Sequence, residues 1–188
     1  MTINEKGLLK CMRESYKRGG YHVAATVYDA EEWLMITSYG YSWMVMIQWD
    51  NVPRKVLGLI AEHIGKLPLP GEAFSAKKDE EAQDEIYEVA VRPLTDLVRE
   101  HREKECPLLR KTKLIWDCGN VWQQEESQKI VLLDPQYESI AVLRGNQLKL
   151  VGCWAGVQGK VSRAYISKRS FGDQHKAIED HMELILWA

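Results

Sequence analysis

The strongest constraint in this sequence is strict alternation of apolar and polar or flexible residues near positions 42–49. Four large apolar residues occupy every second position: Trp43, Val45, Ile47 and Trp49. A period of two is that of a β-strand with one buried face. Two segments rich in β-branched and aromatic residues precede it, at positions 21–28 and 32–38. The breaks at positions 29–31 and 39–41 are typical of hairpin turns. We therefore expect a three-stranded antiparallel meander in this part of the chain.

Helical spacing of apolar residues flanks the meander on both sides. A helix is predicted over residues 4–18, because Asn4 is a good N-cap and two glycines follow the last helical residue. A second helix is predicted over residues 53–66, where Pro53 suits the first helical position. Residues 67–71 read Leu-Pro-Leu-Pro-Gly, which cannot continue a helix and indicates a linker.

Helical spacing resumes after the linker and continues through Pro93. This predicts one long kinked helix, or two abutting helices, over residues 76–105. The alternative is a short strand within residues 85–92, because Tyr87, Val89 and Val91 occupy alternate positions before Pro93.

The last part of the chain again carries strand signals. The runs are residues 114–116, 129–133, 139–143, 147–154 and 161–167. A final amphipathic helix is predicted over residues 173–187. The expected fold class is α+β, with two antiparallel β-meanders packed against amphipathic helices. Three regions are expected: an N-terminal lobe over residues 1–67, a linker and acidic helical segment over 68–105, and a C-terminal lobe over 106–188.

Composition restricts the class of protein. The 188 residues are 45% hydrophobic and 28% charged, with a net charge of −2, which is typical of a globular domain. Residues 71–105 hold 6 basic and 11 acidic side chains, which predicts a solvated acidic helix. The longest apolar runs are far shorter than the roughly 20 residues of a membrane span. Four cysteines without metal-ligand spacing favour a reduced, cytoplasmic protein.

Two cysteines are candidates for nucleophilic chemistry, because Cys118 and Cys153 both lie beside glycines that could supply oxyanion donors. No sequence feature supplies the base that would form the thiolate. We therefore expect both thiols to be buried and slow to react, and a cysteine-dependent enzyme is the alternative reading.

Metal and cofactor motifs give weaker signals. Five potential ligands fall between Asp173 and His181, but on a helix His181 points about 120° away from His175, so they do not close a site. The chain has no phosphate-binding glycine motif. We expect neither a metal nor a cofactor.

A nucleic-acid-binding module is the second alternative. Arg163, Tyr165 and Arg169 would project from one side of a strand and combine phosphate-seeking charges with a stacking ring. A pI near 6.2 is low for such a protein, and a charged edge strand is the structural explanation.

Aromatic residues are concentrated in the first meander. Tyr39 and Tyr41 flank Gly40 in a predicted turn, and exposed tyrosines at a hairpin tip are typical of recognition surfaces. A hairpin tip folded back on its own sheet is the structural alternative. The sequence therefore favours a non-enzymatic regulator or inhibitor that binds a protein or nucleoprotein. Counter-defence inhibitors and small regulators of mobile elements share this compact, motif-free profile, which is an analogy only.

Overall fold

A computed structural model describes residues 2–77, 86–143 and 145–169 of the chain. Within these residues, four α-helices are α1 (Glu5–Arg18), α2 (Arg54–Ile64), α3 (Arg92–Glu103) and α4 (Pro135–Glu138). The first five strands are β1 (Tyr21–Tyr28), β2 (Glu31–Ser38), β3 (Trp43–Gln48), β4 (Ala73–Ala76) and β5 (Leu108–Trp116). The remaining strands are β6 (Gly119–Gln124), β7 (Ile130–Leu133), β8 (Gln147–Val151), β9 (Trp154–Gln158) and β10 (Ser162–Ser167). The mixed α+β class is confirmed.

All ten strands belong to one antiparallel sheet, in the order β4-β1-β2-β3-β10-β9-β8-β5-β6-β7. The predicted first meander is present as β1, β2 and β3. Its third strand pairs with β10, with Val45 opposite Ala164. The expected arrangement of two separate meanders therefore differs from the structure, because ladder hydrogen bonds between β3 and β10 continue one sheet into the other.

The C-terminal strands bend strongly. The register of β5 with β6 shifts between Lys111 and Ile115, and such irregularities bend a strand. The backbone N–H of Arg169, two residues beyond β10, donates to the carbonyl of Leu132 in β7 at 3.1 Å. This part of the sheet therefore almost closes on itself.

The sheet separates the two largest of the three hydrophobic clusters in the described residues. The larger contains Leu8 and Met12 of α1, Val56 and Ile60 of α2, and inward residues from both halves of the sheet, such as Trp43 and Trp122. The smaller lies on the opposite face, where Leu94 and Val98 of α3 cover Met35 and Met46. Apolar stripes on three helices are thus buried against a sheet that is apolar on both faces, which is the arrangement of a three-layer domain.

Helical spacing predicted the segment before Pro93 correctly. Residues Tyr87–Val91 form a π-helical turn that continues into α3, so the strand alternative is wrong. The fold adds β4 just before the undescribed residues 78–85. It pairs with β1, and four residues are too few for a pattern that separates a strand from a loop.

Two predicted strands differ from the structure. Residues 139–143 follow the short helix α4, which begins where the Asp134 side chain accepts a hydrogen bond from Gln136 N at 2.8 Å and Pro135 takes the first helical position. Residues 147–154 form two strands rather than one, because Gly152 adopts a φ of +57° and turns the chain between β8 and β9. The predicted helix over residues 173–187 lies outside the described residues.

In the part of the chain that the structure describes, none of the helices combines the length and the apolar character needed to cross a bilayer.

Candidate functional site

The predicted tyrosine pair lies in the turn between β2 and β3. Tyr39 is 37% exposed, whereas Tyr41 is half-buried and packs against the smaller hydrophobic cluster. Both rings approach His22, with centroid distances of 5.4 Å and 5.6 Å. Only Tyr39 therefore offers a substantial exposed surface at the tip, and Tyr41 mainly anchors the turn to the sheet.

The predicted nucleic-acid strand is placed differently from the expectation. Because β10 lies between β3 and β9, it is a central strand and not an edge. Tyr165 is fully buried and Arg163 is 4% exposed, so neither side chain can reach a nucleic acid in this structure. Arg169 lies beyond the end of the strand and donates to the Asp117 carbonyl at 2.6 Å, so the three side chains form no common surface.

The two candidate cysteines are exposed, so the expectation of burial is wrong for both. Cys118 lies in the turn between β5 and β6, and Cys153 lies in the turn between β8 and β9. Both positions close tight hairpins, whose turn residues face solvent. Cys11 and Cys106 are buried instead. In the described residues neither exposed thiol bonds a histidine, and no three metal-ligating side chains are grouped together.

Helix α1 carries a row of exposed cations that the sequence analysis missed. Its apolar side is buried against the sheet, and four basic side chains occupy the opposite side: Lys6, Lys10, Arg13 and Lys17. Their spacing of i, i+4, i+7 and i+11 aligns them along one face of the helix. The same spacing was readable in the sequence, but only the apolar positions were used to predict the helix.

A groove of about 410 Å³ runs between this row and α2, lined by Lys10, Arg13 and Lys17 on one side and by His63 on the other. The Tyr16 ring stacks on the His63 ring with centroids 3.8 Å apart. The hydroxyl of Tyr21 lies 3.0 Å from Nδ1 of His63. Burial lowers the pKa of His63, so the positive charge of the groove comes from α1.

Two acidic side chains reduce this charge without cancelling it. Lys17 pairs with Glu14 at 3.0 Å, and Glu62 also lines the groove. Within the described chain, Lys10 and Arg13 form no ion pair. These two exposed cations lie at the centre of the exposed face of α1.

The C-terminal end of α1 adjoins the tyrosine turn. Gly20 packs so closely against β4 that a Cβ atom there would lie 2.1 Å from the Ala76 carbonyl oxygen. Its own carbonyl accepts from Tyr39 N at 3.3 Å, and Lys77 Nζ donates to the Lys17 carbonyl at 3.3 Å. These contacts bring together a set that we call the α1 surface: Lys10, Arg13, Lys17, Lys77 and Tyr39.

Comparison with known proteins does not indicate a function for the α1 surface. No family model, no curated protein and no solved structure matches the chain. Function must therefore be argued from the surface itself.

Proposed function

We propose that this protein is a non-enzymatic regulator or inhibitor that binds an acidic protein partner through the α1 surface. The observation that carries the proposal is the row of exposed cations on α1 beside the exposed ring of Tyr39. Long cationic side chains form ion pairs with carboxylates, and a tyrosine supplies apolar contact area at small entropic cost. Together they are suited to recognition rather than to chemistry.

An acidic protein fits this surface better than a nucleic acid does. The Tyr16 ring in the groove stacks on the His63 ring, and Lys77 Nζ lies 5.4 Å from the centroid of the Tyr16 ring. The Tyr16 ring is therefore already engaged within the protein. Base stacking needs an accessible aromatic face, and Tyr16 does not supply one in the groove. The whole chain also has a net charge of −2, whereas nucleic-acid-binding domains are usually basic.

A capture experiment with paired variants tests the proposal. The full chain, the variant Lys10→Glu/Arg13→Glu and the control Lys113→Glu/Lys129→Glu would each serve as bait in cell lysate, with and without nuclease treatment. Both variants change the net charge equally, and all four positions are exposed. We expect a protein that the wild type and the control retain and the α1 variant loses, with an affinity at least about tenfold weaker for the α1 variant.

Direct binding to the captured protein completes the test. Exposed ion pairs are screened by salt, so the affinity should fall as ionic strength rises. Equal retention by the α1 variant and the control would refute the proposal. Loss of the captured species on nuclease treatment would favour the nucleoprotein alternative instead.

A further inference from the structure

A second cavity lies between the C-terminal end of α3 and the strands β8 and β9. Its volume is about 380 Å³, which is within the range of small-molecule sites. The polar side chains that line it include His101 and Arg102 from α3 and Gln147 and Lys149 from β8. We call it the α3 cleft.

The charge of the α3 cleft is positive. Among the described residues that line it, none is acidic. Arg102 pairs with Asp29 outside the cleft, but Lys149 forms no ion pair within the described chain and is exposed. One cation without an ion pair among the described residues and one cation paired with Asp29 therefore face the same space.

A third cation is buried behind the wall of the cleft. Arg163 is 4% exposed, and its Nε donates to Oε1 of Gln158, a cleft residue, at 3.3 Å. Its guanidinium lies 4.1 Å from the centroid of Trp33. Its Nη1 is buried and has no hydrogen-bond partner among the described residues. Arg163 forms no ion pair among the described residues. A buried cation raises the positive potential of its surroundings, because the low-dielectric interior screens it little.

His101 does not add to this charge at neutral pH. Its Nδ1 lies 3.3 Å from the Tyr165 hydroxyl, and burial lowers its pKa to about 4, with the nearby charges of Lys149 and Arg163 acting in the same direction. The imidazole is therefore a neutral polar group in the wall.

The geometry points to a binding site for a small organic phosphate in the α3 cleft. Lys149 supplies an uncompensated point charge, which suits a tetrahedral phosphate. Asp29 already engages the guanidinium of Arg102, so the planar fork that favours a carboxylate is partly occupied. The apolar side chains of Leu108, Val142 and Val157 also line the cleft and would contact the organic part of the ligand.

The test titrates the full-length chain with phenyl phosphate, using benzoate and phenol as probes of the same ring without the phosphate. Calorimetry measures affinity, and amide chemical shifts locate the site. We expect saturable binding of phenyl phosphate, shift changes at the end of α3 and along β8 and β9, and weaker binding of both other probes. The exposed variant Lys149→Gln should weaken binding at least about tenfold, which corresponds to the loss of one charge-assisted contact.

Two variants serve as controls. Lys113→Gln removes an exposed cation from β5, and Lys10→Glu/Arg13→Glu alters the α1 surface; neither should change the affinity. Absence of saturable binding at about 1 mM ligand, equal affinity for benzoate, or an unchanged affinity in Lys149→Gln would overturn the assignment. Loss of binding in the α1 variant would also overturn it and would move the phosphate to the α1 surface, where the proposed partner site is tested separately.

Discussion

At the scale of single residues, Glu138 is the most completely bonded charge in the described chain. It is 6% exposed and accepts hydrogen bonds from Lys111 Nζ at 2.5 Å, Asn120 Nδ2 at 2.6 Å and Trp122 Nε1 at 3.1 Å. These donors come from β5 and β6, so one carboxylate attaches α4 to two strands. A buried charge with this many partners is costly to disturb, because each partner would lose its bond.

Replacing this carboxylate should destabilise the fold. We expect Glu138→Ala to lower the free energy of unfolding by about 3 kcal/mol, since it leaves the Lys111 charge and two buried donors without their acceptor. Urea denaturation followed by tryptophan fluorescence measures the change. The exposed Glu126→Ala should stay within about 0.5 kcal/mol of wild type. A loss below about 1 kcal/mol in Glu138→Ala would show that water replaces the carboxylate.

The four cysteines differ in burial. Burial raises the pKa of Cys11 to about 12 and also raises that of Cys106, whereas Cys118 and Cys153 are exposed in hairpin turns. Thiol reagents attack the thiolate and need access to it. The exposed pair should therefore react faster with thiol reagents than the buried pair does.

A thiol titration checks this difference. We expect two of the four thiols to react rapidly with an aromatic disulfide reagent in the native state and the other two only after unfolding. The double variant Cys118→Ser/Cys153→Ser should lack the rapid phase. Even at pH 10, Cys11 should stay slow, because its pKa of about 12 keeps most of the thiol protonated. Four rapid thiols would contradict the burial of Cys11 and Cys106.

At the scale of elements, the β2–β3 hairpin combines an exposed tip with a buried strand. Tyr39 is 37% exposed, while Trp43, four residues later, is fully buried and its Nε1 lies 3.3 Å from the Ser15 hydroxyl of α1. The strand therefore holds the hairpin against α1, and the Tyr39 side chain at the tip stays partly exposed. A partly exposed tip and a fully buried strand are thus separated within one hairpin.

Alanine substitutions should show this separation. Tyr39→Ala is expected to change the free energy of unfolding by less than about 1 kcal/mol, yet to weaken partner binding by about 2 kcal/mol if the ring anchors the partner. Trp43→Ala should cost about 3–5 kcal/mol of stability as a large-to-small core change. Thermal melts by circular dichroism compare the two. Similar losses in both variants would place Tyr39 in the core.

At the scale of the whole molecule, the pairing of β3 with β10 unites the two halves of the chain. Residues from both halves share the larger hydrophobic cluster, and Ala164 of β10, opposite Val45, is 1% exposed. Contacts between segments more than a hundred positions apart must form together for either half to bury its apolar surface. The free energy of unfolding is therefore shared along the sheet.

The described sheet should unfold as one unit. We expect far-UV circular dichroism and tryptophan fluorescence to give coincident urea transitions. Ala164→Asp places a charge in the shared core. It should lower the free energy of unfolding by several kcal/mol, and by the same amount in both signals. The exposed Lys113→Asp is the control and should leave the transitions nearly unchanged. Two separate transitions, or a shift in one signal alone, would show that the halves fold independently.

Elements with a local signal could be predicted from the amino-acid pattern alone. The alternation at Trp43, Val45 and Ile47 predicted β3, and the apolar spacing of Leu8 and Met12 predicted α1, because a strand or an amphipathic helix repeats its pattern within a few residues. The exposed turn at Tyr39 could be predicted for the same reason. The basic row on α1 was equally local, and it was missed only because its charges were not read as a pattern.

Contacts between distant segments of the chain determine where these elements meet. Pairing of β3 with β10 turned Arg163 and Tyr165 from a predicted exposed edge into a buried layer beneath α3. Packing of Gly20 against Ala76 places Tyr39 and Lys77 beside the cations of α1. Packing of α3 against β8 places Lys149 in the same cavity as His101 and Arg102. These contacts join positions far apart in the chain, and local periodicity carries no information about which distant strand completes a ladder.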